Sequence, residues 1–292
     1  MAGNGIVSMR RILRTLSTAS VVAAIMAAGA GPLAAQDSRV PLGPGGKPDL
    51  NGIWQALNEA NYDLEAHGAR PALALRQGPY GPVPATKVLA LGAVGAVPPG
   101  LGVVEGGEIP YKPEALAKRK QNQDDWLNRD PEIKCYLPGV PRATYMPYPF
   151  QILQSASALT FVYEYAGAVR NIFLDKPDPA PADSWMGQST GRWEGDTLVI
   201  DVTDLNDQTW FDRAGNFHSD KLHVVERYTR TGPDSISYEA TIEDPEVFTR
   251  PWKITMPLYR RQEKNAQLLD FKCVEFVEEM LYGQYRKHPL SE

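Results

Sequence analysis

From residue 150 onward, apolar and polar side chains alternate in short runs. Ile236, Tyr238, Ala240 and Ile242 share one side of a period of two, with Ser237, Glu239 and Thr241 on the other. That is the pattern of a strand with one face in a core and one in water. Comparable runs at 151–155, 160–165, 169–174, 197–202, 222–229, 236–242, 252–257 and 268–273 predict strands. Gly167, Gly195-Asp196, Ala214-Gly215-Asn216 and Gly232-Pro233-Asp234 read as turns between them. An entry strand over 49–55 brings the total to about nine strands. Short strands at this spacing predict a mainly β, antiparallel barrel or sandwich.

Two helices interrupt the pattern. One is expected over 113–129, with Pro113 at its first position and Asp130-Pro131 ending it. The other is expected over 275–286. Residues 68–107 follow neither period and are dominated by Gly, Pro, Ala and Val. With Leu89, Leu91, Val94, Val97, Leu101, Val103 and Val104, the segment is too apolar for a solvated linker and reads as a lid or insert packed over something.

The N-terminus changes the compartment. Residues 1–35 hold Arg10, Arg11 and Arg14 and no acid, then an alanine-rich apolar run and small residues up to Ala35. This reads as a secretory signal cleaved near Ala35, too short and weakly apolar for a membrane span. Arg10-Arg11-Ile12-Leu13 is a partial twin-arginine signature whose flanks fall short, which favours the general secretory route. Residues 36–48 read as a flexible, Pro/Gly-rich N-terminal segment, and 49–292 as a single β-barrel domain. Removing residues 1–35 takes away three positive charges and turns the net charge of −5 into −8. An acidic chain with no Lys/Arg block argues against nucleic acid and anionic lipid as partners, and no second apolar run is long enough to span a membrane. The oligomeric state is open. In the oxidising periplasm or outside the cell, Cys135 and Cys273 either form a disulfide or remain two buried thiols.

The densest chemistry lies at 217–227, which holds two of the four histidines. On the strand 222–229, Leu222, Val224, Glu226 and Tyr228 face one way and His223, Val225 and Arg227 the other. Both faces carry charge, so one charge points inward and needs a partner. One reading is acid–base catalysis, with His218 and His223 as acid or base, Asp220 and Glu226 orienting them, and Arg227 or Arg170 stabilising an anion. Tyr145 and Tyr163 are further donors, and Trp185, Asn206, Asp207 and Trp210 are candidate ligand contacts. The bland alternative is turn caps and surface ion pairs. A weaker option is a divalent metal on His218, Asp220 and His223, though the spacing is not a defined ligand pattern. No nucleophile elbow, Gly-x-Gly-x-x-Gly, phosphate loop or haem-binding Cys-x-x-Cys-His occurs, so no cofactor is expected.

Two resemblances follow from motifs. Gly52-Ile53-Trp54 at the entry strand, with the antiparallel run and final helix, resembles a lipocalin-like (calycin) barrel. Cys135 to Arg142 (Cys-x-x-Pro-Gly-x-Pro-Arg), Gly191 to Val199 (Gly-Arg-Trp-Glu-Gly-Asp-Thr-Leu-Val), Leu205 to Trp210, His218 to Arg227 (His-Ser-x-x-Leu-His-x-x-Glu-Arg) and Thr249 to Trp252 resemble an uncharacterised secreted family of Gram-negative bacteria. That likeness implies a shared fold and pocket and carries no activity. The expected function is a cofactor-independent lyase, isomerase or hydratase acting on a small apolar or aromatic molecule. The alternatives are a carrier or sensor of a hydrophobic ligand, or a structural envelope protein.

Overall fold

The computed structural model describes residues 40–71, 75–78, 81–84 and 96–273. In chain order the strands are β1 (Gly52–Ala56), β2 (Arg70–Pro71), β3 (Leu75–Gly78), β4 (Gly81–Pro84), β5 (Ala96–Val97), β6 (Phe150–Gln154), β7 (Ala158–Tyr163), β8 (Val169–Phe173), β9 (Gln188–Glu194), β10 (Thr197–Thr203), β11 (His223–Gly232), β12 (Ser235–Glu243) and β13 (Trp252–Arg260). The helices are α1 (Pro113–Asp124), α2 (Trp126–Arg129) and α3 (Arg142–Tyr145). Nine strands close a barrel in the order β1-β13-β12-β11-β10-β9-β8-β7-β6, as expected of a lipocalin-like fold. The pairs β2–β5 and β3–β4 form two small separate ladders.

Every barrel pairing is antiparallel except β8–β9, which run parallel with Ile172 opposite Ser189. A parallel step cannot be made by a hairpin, because the chain must return to the end it left. Residues 174–187 make that return. The strand β9 was not anticipated, because its inward positions are Ser189 and Gly191 and give no apolar alternation. Gly191 is required by close approach: a Cβ there would lie 2.6 Å from Cγ2 of Ile172. The run expected as a strand at 268–273 is instead an irregular strap. The helix expected over 113–129 breaks at Asp125 into α1 and α2.

Alternation sets the interior. Val224, Glu226, Tyr228 and Arg230 of β11 are buried, as are Ile236, Tyr238, Ala240 and Ile242 of β12 and Phe161 and Tyr163 of β7. Trp54 is completely buried, its indole N–H donating to the Leu50 carbonyl at 2.8 Å. The guanidinium groups of Arg230 and Arg260 lie 5.0 and 4.7 Å from its ring centroid, within cation–π range. Gly52, at φ 138°, leaves room for this arrangement: a Cβ there would come within 2.5 Å of Arg260 Nη1. The Gly-x-Trp element thus has a physical reading, a small residue clearing space for a cation over an indole.

Of the apolar segment 68–107, Val97 and Val104 are buried and Val103 packs against the core, whereas Leu101 is fully exposed. Leu89, Leu91 and Val94 lie outside the described residues, as do the signal expected over 1–35 and the helix expected over 275–286.

Candidate functional site

Glu226 is the hub of a buried polar cluster inside the barrel. It is fully buried on β11, with Ala240 of β12 opposite it. The small alanine leaves space for the diagonal neighbour Tyr238, whose hydroxyl donates to Glu226 Oε1 at 2.7 Å. Tyr228, two residues along β11 on the same face, donates to the same oxygen at 3.0 Å. The other oxygen receives Arg170 Nη2 at 2.5 Å. The parallel pairing brings Ser189 beside Arg170, and its hydroxyl accepts from Arg170 Nε at 2.6 Å. Thr144 of α3 sits 3.3 Å from the Tyr228 hydroxyl.

A buried carboxylate would be costly alone; here a guanidinium and two phenols surround it. Burial pushes the phenols of Tyr228 and Tyr238 well above their ordinary range, and the Glu226 charge adds to this. They stay protonated and act as neutral donors.

The cluster is not closed. Arg170 Nη1 and the Tyr163 hydroxyl are both buried, and neither makes a hydrogen bond of good geometry to a described residue, although the phenol lies near enough to Arg170 and Thr144 to feel both. Phe161 lies opposite Arg170 across β7–β8, so Tyr163 is the diagonal neighbour on the same inward face. Burial raises the Tyr163 phenol and the Arg170 charge draws it back. Buried polar atoms without partners are rare in folded proteins, so this pair needs an account.

A second buried network is complete. The Arg142 guanidinium donates to Asn61 Oδ1 (2.9 Å), Asp130 Oδ1 (3.0 Å) and Glu132 Oε2 (2.6 Å). Arg213 adds a two-pronged contact to Glu132 at 2.8 and 2.9 Å. Burial works against the Glu132 charge, but Arg213 and Arg142 hold its carboxyl down at about 2. With its donors and acceptors matched, this network anchors the chain around α2 and α3. A third group is organised by Asp212, which accepts from Leu64 N, Ala214 N and Asn216 Nδ2 at 2.9, 2.9 and 2.6 Å.

The residues read from 217–227 are dispersed. His218 is buried. Its Nδ1 faces the Ser219 carbonyl at 2.8 Å and therefore carries the proton, so Nε2 accepts from the Thr209 hydroxyl at 2.6 Å. Burial lowers its pKa, which keeps the ring neutral. Gly139, at φ 73°, approaches the same threonine so closely that a Cβ would meet its Oγ1 at 2.5 Å. His223 lies on the outer face, 3.2 Å from Asp201. Asp220 is exposed and pairs with Lys221, and Arg227 pairs with Glu194 on the surface. The structure therefore does not bring His218, His223, Asp220, Glu226 and Arg227 together. Strand parity sends His223 and Arg227 outward and Glu226 inward, and His218 with Asp220 precedes the strand. Of the metal ligands considered, His218 is buried with both ring nitrogens engaged, Asp220 is exposed beside Lys221, and His223 faces Asp201 on the outer side. Among the described residues no group of three or more His, Cys, Asp or Glu side chains is arranged to hold an ion.

The candidate contact residues also divide. Arg170 and Tyr163 are interior. Tyr145 is buried and donates to the Phe211 carbonyl at 2.8 Å. Trp185 packs on Tyr136 with ring centroids 5.0 Å apart, and Trp210 belongs to the core. Asn206 accepts from Gln208 N at 3.1 Å in a turn that leaves Asp207 exposed. Thr144, Ser189, Tyr228 and Tyr238 were not singled out from sequence. For Tyr228 and Tyr238 a signal existed, since each lies on the inward parity of a strongly alternating strand.

Cys135 and Cys273 form a disulfide with their Cα atoms 5.7 Å apart. It ties the strap to the end of the helical turn Pro131–Lys134, with Phe271 packed on Tyr165 and Tyr148 at 4.7 and 5.3 Å. Leu269 N donates to Glu164 at 2.8 Å. Beneath the strap lies a pocket of about 450 Å³, bounded by Cys135, Val162, Tyr163, Glu164, Phe271 and Cys273 among others. Tyr163 is common to this pocket and to the interior cluster. Set against family models, curated proteins and solved structures, the chain matches none.

Proposed function

We propose that the barrel binds a small, largely apolar or aromatic molecule and takes its polar end at the Arg170–Glu226–tyrosine cluster. The observation that supports this reading is the pair of buried donors, Arg170 Nη1 and Tyr163 Oη, neither of which makes a hydrogen bond of good geometry to a described residue. Leaving such a group unsatisfied costs about 1–3 kcal/mol, a cost that a bound acceptor removes. An export signal over residues 1–35 and the Cys135–Cys273 disulfide fit action in the periplasm or outside the cell. The test is a panel of small aromatic and aliphatic molecules, read by native mass spectrometry and by melting temperature. A ligand at about 100 times its Kd stabilises the fold by about 2.7 kcal/mol. If no member gives a 1:1 complex or a shift, the binding reading is lost.

A second reading is a proton-transfer enzyme of the lyase, isomerase or hydratase class. It is favoured by the two phenols held protonated beside Glu226, donors suited to stabilising a developing negative charge. It no longer runs through the histidines, because His218 has both nitrogens engaged and His223 faces outward. Its weakness is the base, since Glu226 already accepts three hydrogen bonds. Deuterium exchange at the α-carbon of a bound carbonyl compound, followed by NMR, separates the two readings. Catalysed exchange that survives His218→Gln and His223→Gln supports the enzyme; no exchange leaves a carrier.

A further inference from the structure

We infer that the group received at Arg170 Nη1 and Tyr163 Oη is the oxygen of an uncharged carbonyl, as in a ketone, enone, ester or lactone, and not a carboxylate. The inference rests on the binding reading above and narrows it. Both atoms are buried without a hydrogen bond of good geometry to a described residue, and both belong to inward side chains that are diagonal neighbours across β7–β8. A carbonyl oxygen has two lone pairs and can accept from a guanidinium N–H and a phenol O–H together.

The charge balance decides between acceptors. Arg170 is the cation of the cluster, and Glu226 already neutralises it through Nη2, with side chains 2% and 0% exposed. The rest of the inner shell is neutral: Ser189 on Arg170 Nε, Thr144 near Tyr228, and the phenols of Tyr228 and Tyr238 on Glu226. A carboxylate would place a second negative charge beside Glu226 with no further cation among the described residues of this shell. At low effective dielectric that repulsion is strong. An uncharged carbonyl adds no net charge and still satisfies both donors. Its polarised oxygen is also where negative charge would develop if the α-proton left, so the inference serves either reading of function.

The test uses three probes of one size: acetophenone, ethylbenzene and benzoate. Binding to the mature protein and to Tyr163→Phe is followed by calorimetry, with the carbonyl stretch of labelled acetophenone read by infrared. The variant removes a hydroxyl that makes no hydrogen bond of good geometry to a described residue, so its melting temperature is expected to be unchanged or higher. A purely structural hydroxyl would not couple that result to ligand choice. Expected are acetophenone binding at least about tenfold tighter than benzoate, a red-shifted stretch, and a drop of about tenfold for acetophenone alone in Tyr163→Phe. Equal binding of ethylbenzene and acetophenone, unaffected by the variant, overturns the inference and leaves the binding reading standing. Tighter binding of benzoate does the same. Failure of acetophenone to bind up to its solubility, or a soaked crystal with only a water between the two donors, also overturns it. The broader panel decides separately whether the barrel binds anything.

Discussion

Glu226→Gln tests whether the buried ion pair is what organises the interior. The amide keeps Oε1 for Tyr228 and Tyr238 but turns an NH2 toward Arg170 Nη2, so a donor faces a donor where a 2.5 Å ion pair stood. Arg170 keeps its charge in a site where its side chain is 2% exposed. Breaking a buried pair from one side costs about 3–5 kcal/mol, a large part of the roughly 5–15 kcal/mol that holds a domain folded. Arg170→Met should cost a similar amount by stranding the carboxylate. The double variant removes both charges and should cost little more than either single change, a coupling of about 3 kcal/mol. Urea unfolding followed by tryptophan fluorescence measures all four proteins, with six tryptophans as reporters. Additivity of the two single effects to within about 0.5 kcal/mol would refute the argument, since it would mean the two groups are independently solvated.

Three further outcomes follow from the buried groups and the disulfide. Burial and the neighbouring Asp63 push the Asp212 carboxyl up to about 7, against an ordinary value of 3.8. Its contribution to stability is full below about pH 4 and is lost as pH rises through about 7, up to about 4 kcal/mol. Asp63→Asn should flatten the fall in melting temperature across that window; an unchanged slope would count against the coupling. The sign is opposite for His218, whose pKa burial lowers from 6.5. Its contribution is present above pH 6.5 and is lost as pH falls below it, so His218→Gln should lose less stability between pH 6.5 and 5 than the wild type does. Reducing the disulfide opens a loop spanning 138 residues, worth about 5 kcal/mol in the chain-entropy model. A melting temperature unmoved by reductant would show that the strap contributes nothing to the fold.

Much of the barrel was legible because a strand's period of two is local. Residues 236–242 identify β12 unaided, and the same parity puts Glu226 and Tyr228 on one face of β11 and His223 and Arg227 on the other. Gly195-Asp196 is a hairpin loop in either view, since Glu194 and Thr197 pair across it. What stayed hidden depends on contacts between distant segments. β9 has no apolar alternation of its own and becomes a strand only because β8 and β10 flank it. The cluster of reactive residues at 217–227 was a property of the chain, not of the site: period two divides it between solvent and core. The sequence by itself determined that a charge on β11 must point inward and find a partner, because both faces of that strand are charged. Only barrel closure and the parallel β8–β9 step decided that Glu226 is that charge, that Arg170, 56 residues earlier, is the partner, and that Tyr163 joins it. The physical reason is that side-chain parity belongs to one strand, whereas the company a buried charge keeps is set by strand register across the whole sheet.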